Sequence, residues 1–256
     1  RFYDDNIWLG IDFTDYYLMT EKQEYLKKAE LIWNFIISGK DEALGGGIYW
    51  CEQKKETKNT CSNAPAAVFA FKLFQATQDS TYLKEGKELY EWTKENLEDS
   101  KDHLYFDKVS LNKKIDRTKY AYNSGQMMKA AALLFQITKQ KEYLKDAQEI
   151  ARACHKHFFT RLTTPDGIVL QLPKKGNIWF TAIMLRGFVE LYQIDHNKTY
   201  LTDFQLSLDY AWHHARDEQG LFQKDWSGMD KDDKKWLLTQ AAFVEMYGRL
   251  ACVDIK

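Results

Sequence analysis

Proline is scarce, with three in 256 residues, so little interrupts long helices. Cysteine is scarce too. Cys51, Cys61, Cys154 and Cys252 include no Cys-x-x-Cys pair, which removes the usual zinc and dithiol motifs. Cys154 and Cys252 fall in helical patterns and read as buried thiols. Cys51 and Cys61 read as free, a bridge between their loops being the disfavoured alternative. No apolar run approaches the roughly 20 residues a bilayer crossing needs, so no membrane span is expected. Neither sign of charge dominates. The formal net charge is −1, and Lys113-Lys114 and Lys174-Lys175 are too short to form a nucleic-acid surface. Helical zinc spacing is missing: His155 and His157 are two apart, His213 and His214 adjacent, His103 and His196 isolated, whereas that motif needs i, i+4. Nucleophile-elbow and phosphate-loop patterns are absent as well. No metal or other cofactor is therefore expected. Residues 1–256 show no signal-peptide pattern, and a targeting segment upstream of Arg1 is compatible with this reading.

What the sequence does have is aromatics, at 15% including eight Trp, and a repeat. Tyr-Leu followed by Lys or Thr recurs at Tyr25, Tyr82, Tyr143 and Tyr200, at spacings of 57, 61 and 57 residues. Each follows a short polar turn, and before each turn lies a more apolar helix. The pattern predicts inner helices over about 6–19, 64–77, 124–138 and 178–194 and amphipathic partners over about 22–38, 80–97, 141–158 and 198–215. A ninth helix is expected over about 235–252. Segment 124–138 is apolar nearly all round, as an inner helix should be. Helical hairpins of this kind close into an (α/α) toroid or stack as an open solenoid. A six-hairpin toroid needs three more helices than these nine, so a further N-terminal hairpin is expected. The chain reads as one domain over 1–256.

The connections after the outer helices carry aromatics and amides to the mouths of successive inner helices. Gly45-Gly46-Gly47 leads to Tyr49-Trp50. Asn59 and Asn63 precede the second inner helix, and Tyr122-Asn123 the third. Pro165-Asp166-Gly167, a turn signal, leads towards Trp179-Phe180, and Asp225-Trp226 lies before the last helix. Singly, each reads as a plug at a hairpin end. Their recurrence at equivalent points of the repeat favours one shared cleft.

Asp4 and Asp5 stand where the first helix begins, flanked by Tyr3 and Trp8. One reading is a helix cap, since Asp suits an N-cap and acids suit the first turn. The other is catalytic: paired carboxyls roughly 5–5.5 Å apart serve a retaining glycosidase, one attacking and one donating a proton. Helix amides would keep one Asp ionised, and its charge would raise the pKa of the other.

Tyr-Asp-Asp-Asn-Ile-Trp at 3–8, Gly-Gly-Gly-Ile-Tyr-Trp at 45–50, Lys-Asn-Thr-Cys-Ser-Asn-Ala-Pro at 58–65, Tyr-Asn-Ser-Gly at 122–125 and Asp-Trp-Ser-Gly at 225–228 occur in that order on these repeats. Together they resemble glycoside hydrolase family 76, the endo-α-1,6-mannanase family, from Tyr3 to about Gly228. The resemblance implies an all-α (α/α)6 fold and a retaining mechanism, with Asp4 as nucleophile and Asp5 as acid/base. It also implies an α-mannan or manno-oligosaccharide substrate and an extracytoplasmic setting. A monomer is expected. Trp8, Tyr49, Trp50, Trp179, Phe180 and Trp226 are then expected to meet sugar rings. Asn59, Asn63, Tyr122, Asn123 and Asp225 are expected at sugar hydroxyls. Two positions depart from the family: Phe180-Thr181-Ala182 stands for Phe-Lys-Gly, and Ser124 for the commoner Gln. A non-catalytic glycan-binding toroid and a helical-repeat interaction protein are the alternative readings.

Overall fold

The computed structural model describes residues 1–164 and 167–254. The Pro165-Asp166 half of the expected turn lies outside them. Nine helices are present among the described residues. The inner ones are α1 (Tyr3–Thr20), α3 (Thr60–Thr77), α5 (Ala121–Thr138), α7 (Ile178–Asp195) and α9 (Leu237–Ala251). The outer ones are α2 (Gln23–Ile37), α4 (Ser80–Leu97), α6 (Lys141–Phe158) and α8 (Thr199–His214). Successive inner helices pack on one another, and α1, α3, α5 and α7 each pack on their own outer partner, which is the layering of a helical toroid. No helix among the described residues is long and apolar enough to cross a membrane.

The repeat signature is visible in the joints. Thr20, Thr77 and Thr138 each return a hydroxyl hydrogen bond to the carbonyl four residues back. The next residue, Glu21, Gln78 or Lys139, takes a left-handed conformation with φ near +60° (57°, 60° and 60°) and ends the helix. The Tyr that opens the following outer helix then clamps the previous one. Tyr82 meets Trp33 at 5.9 Å, Tyr143 meets Tyr90 at 5.7 Å and Tyr200 meets His155 at 5.3 Å. On α6 the buried residues Tyr143, Ala147, Ile150, Ala151 and Cys154 keep one face inward. Cys154 is a buried free thiol, whereas Cys252 is exposed beyond the end of α9, where the apolar pattern stops. Cys51 and Cys61 are free.

The connections expected as plain loops contain strands. β1 (Thr57–Asn59), β2 (Glu98–Asp99), β3 (Leu104–Ser110) and β4 (Ile115–Lys119) form one antiparallel sheet centred on β3. β5 (Phe159–Thr163) and β6 (Val169–Pro173) form a hairpin. Both stand on the face where the inner helices begin.

Charges link the inner helices. Lys72 of α3 pairs with Asp15 of α1. Lys129 of α5 lies 3.8 Å from Glu190 of α7. Arg186 of α7 makes a forked pair with Glu245 of α9 at 2.6 and 2.8 Å. Burial and nearby Lys72 lower the Lys129 pKa to about 7. An unfolded lysine keeps its proton to about 10.4. The unfolded chain therefore binds more protons between these values, and this group's contribution to stability rises with pH. Lys129→Met is accordingly expected to gain stability relative to the parent on the acid side, the difference shrinking as pH rises. Paired denaturant melts at about pH 6 and about pH 10 check the sign.

Candidate active site

The glycine-rich connection is built on a buried ammonium. Lys58 is fully buried, and its Nζ donates to Asp41 Oδ1 at 2.7 Å and to the carbonyls of Ala43 and Gly46 at 2.7 and 2.5 Å. Positive φ angles at Gly45, Gly46 and Gly47 (77°, 126° and 78°) bend the chain around it. Tyr49 is pinned beside it, donating to Asp41 Oδ2 at 2.9 Å, with Lys58 Nζ 4.7 Å from its ring. The following residues run extended over the start of α1: Tyr3 N–H donates to the Trp50 carbonyl at 3.0 Å, and Trp50 N–H to the Thr57 carbonyl at 3.1 Å. This holds the Trp50 side chain above the aspartate pair.

The N-cap half of the first reading of that pair fails, and the first-turn half holds. The N-cap is Phe2, without a side-chain cap, and Asp4 and Asp5 lie within the first turn. Asp4 Oδ2 accepts from Trp50 Nε1 at 3.0 Å and from the Cys61 thiol at 3.5 Å. Its Oδ1 is buried without a hydrogen-bond partner. Burial raises the Asp4 pKa, the Trp50 N–H opposes that, and the Asp5 charge adds to it. Asp5 itself is exposed. Burial thus raises the pKa of Asp4, the less exposed member of the pair, whereas the expected roles need the raised pKa on Asp5; burial outweighs the helix amides.

Aromatic rings cluster beside Asp4. Trp8 meets Trp179 edge-on at 5.2 Å, Tyr122 stacks on Phe180 at 4.1 Å and lies 6.1 Å from Trp179, and Phe2 packs on Trp50 at 4.6 Å. Arg186 sits 5.8 Å from the Trp8 ring and links this wall to the charged interior. Tyr120, 5.5 Å from Phe180, joins the wall although the sequence did not single it out. Asp107, on β3, was missed as well. It is buried, and its charge acts on both Cys61 and Tyr122, the neighbours of Asp4. Burial raises its pKa, and Lys108 at 3.6 Å only partly offsets this. Asn123 is fully buried beside Asp107 with its amide unpartnered in hydrogen-bond geometry. The next residue, Ser124, accepts from Tyr105 N–H at 3.0 Å and so fixes β3 to α5.

Other expected contacts are structural. Tyr49 is buried and spent on Asp41. Asn63 is fully buried, accepting from Ile48 N–H at 2.6 Å and donating to the Ile48 and Asn59 carbonyls at 2.9 and 2.8 Å. Asn59 is buried and accepts from the Thr57 hydroxyl at 2.8 Å. Trp226 packs inside against Phe243 at 4.9 Å. Asp225 closes its own turn by accepting from the Ser227 hydroxyl and the Ser227 and Asp230 amides. These five help hold the connections in shape. Thr181, at the departure from the family pattern, is buried.

The sequence profile of glycosyl hydrolase family 76 matches residues 1–171. A family 76 mannosidase of Bacteroides thetaiotaomicron is 37% identical with a TM-score of 0.93, over 98% of this chain and 70% of that one. An α-1,6-mannanase of Salegentibacter sp. is 28% identical with a TM-score of 0.86, over 98% of this chain and 75% of that one. That structure is an inactive variant with two consecutive aspartates replaced, in complex with α-1,6-mannotetrose. A mannan endo-1,6-α-mannosidase of Candida glabrata is 27% identical over 128 residues, 46% of this chain and 29% of that protein. The matches span about a third of the length of the curated relatives.

Proposed function

This chain belongs to glycosyl hydrolase family 76, and from that premise we propose that it hydrolyses α-mannosidic linkages within α-1,6-mannan by a retaining, two-aspartate mechanism. The observation that carries the reading is the Asp4 carboxylate. One oxygen is held by Trp50 and Cys61, while the other makes no hydrogen bond. An oxygen with no hydrogen bond to give up suits attack on an anomeric carbon. Asp5, adjacent and exposed, protonates the leaving oxygen and then activates the water that hydrolyses the glycosyl-enzyme. Trp8, Trp50, Trp179 and Phe180 offer ring faces and edges to the sugars. Asn123 and Asp107 supply buried polar groups for hydroxyls, which become ordered when a sugar satisfies them. The inactive relative with both consecutive aspartates replaced is the comparison that supports this most directly.

The test is incubation with linear α-1,6-mannan, following oligosaccharide release by chromatography. Short manno-oligosaccharides are expected from the parent chain. Binding of α-1,6-mannotriose without any release would favour the glycan-binding alternative.

A further inference from the structure

The Cys61 thiol is buried in the first turn of α3, 3.5 Å from Asp4 Oδ2. Burial, followed by the charges of Asp4 and Asp107, pushes its pKa well up. The sulfur therefore keeps its proton and is available as a donor rather than as a thiolate. The Tyr122 hydroxyl lies against the same sulfur. Tyr122 in turn stacks on Phe180 at 4.1 Å. A continuous line of contacts thus runs from the aromatic wall, through a phenol and a thiol, to one oxygen of the candidate nucleophile.

We propose that Cys61 is a positioning residue for the reaction: its S–H fixes the orientation of the Asp4 carboxylate while withdrawing little charge from it. The reasoning rests on the nucleophile assignment above and on donor strength. A carboxylate that must attack carbon needs a fixed direction, yet every strong donor it accepts from makes it a weaker nucleophile. Trp50 already supplies one strong N–H. A second strong donor would hold the group at the cost of its reactivity, whereas a thiol is a weak donor. The groups facing Asp4 are few: Asp5 from its own helix, Trp50 from the glycine-rich connection, Cys61 from α3, with Tyr122 of α5 and Asp107 of β3 behind the sulfur.

The experiment titrates the Asp4 carboxyl by ¹³C NMR in Asp-labelled protein, the resonance being identified by its loss in Asp4→Asn. The parent, Cys61→Ser and Cys61→Ala are compared. The stronger hydroxyl donor lowers the Asp4 midpoint below that of the parent, and loss of the donor raises it. This readout needs no turnover, so it is independent of the hydrolase reading. On α-1,6-mannan, Cys61→Ala is expected to lose between about 10- and 100-fold in kcat with KM little changed, as a misdirected reacting group would. The acid limb of the pH profile should move with the NMR midpoint in both variants. Midpoints that coincide in all three folded proteins would overturn the proposal, leaving Cys61 as packing alone. Shifted midpoints with no hydrolysis by the parent would keep the contact and sink the nucleophile assignment instead.

Discussion

Asp4→Asn is expected to lower kcat/KM on α-1,6-mannan by on the order of 10⁴–10⁶-fold, the scale on which removal of a covalent nucleophile acts. The same substitution should leave the thermal midpoint unchanged or raise it. Asp4 has one buried oxygen without a partner, and burial opposes its charge. The neutral amide keeps an oxygen for Trp50 Nε1 and removes that charge. Activity and stability should therefore move in opposite directions, as expected where a site is strained for function. A simple structural aspartate would lose both together. Scanning calorimetry beside initial-rate measurement separates the two cases.

Gly125→Ala carries the second large effect, and it acts through helix packing. Gly125 lies on α5 where α7 comes closest. A Cβ there would sit 2.5 Å from the Met184 Cα, which is backbone and cannot turn aside. Opposite it, a Cβ on Gly187 would sit 2.4 Å from the Gly125 carbonyl oxygen. The two helices touch through paired glycines, so even one methyl group must part them. Overpacking of this kind costs about 1–3 kcal/mol, and a clash with backbone belongs at the upper end. Denaturant unfolding should show a lower midpoint. Activity per folded molecule should fall too, because Tyr122 on α5 and Trp179 on α7 would separate from their 6.1 Å contact. Gly248, with open space at its Cβ position, provides a control: Gly248→Ala should be tolerated.

The helices were legible because their apolar spacing repeats. The outer ones match to within about two residues, and the errors at the inner ones are systematic. α1, α3 and α5 begin at Tyr3, Thr60 and Ala121, three or four residues before the apolar pattern starts. Their first turns face the cleft and carry Asp, Asn and Tyr, which break that pattern. β3 was not legible. Its residues Leu104 to Asp107 are all buried, so no alternation marks a strand, and Asp107 was lost with it. Recurrence of aromatics pointed to a candidate site without saying which side chain turns inward. Tyr49 and Trp50 are neighbours on an extended segment and so point opposite ways. The first became part of the framework and the second reached Asp4. Asn63 and Asn123 occupy similar places on successive inner helices. Only the first has backbone partners in reach. The aspartate pair was readable by itself only as two competing possibilities. The family motifs around it chose between them.

The stereochemistry of the first product tests the two-aspartate account most directly. Digestion of α-1,6-mannan in D₂O, followed by ¹H NMR before mutarotation, reads the configuration of the newly formed reducing end. Attack by Asp4 and then by water inverts the anomeric carbon twice, so an α-configured end should appear first. A β-configured end formed first would mean a single displacement by water, and would contradict the covalent role given to Asp4.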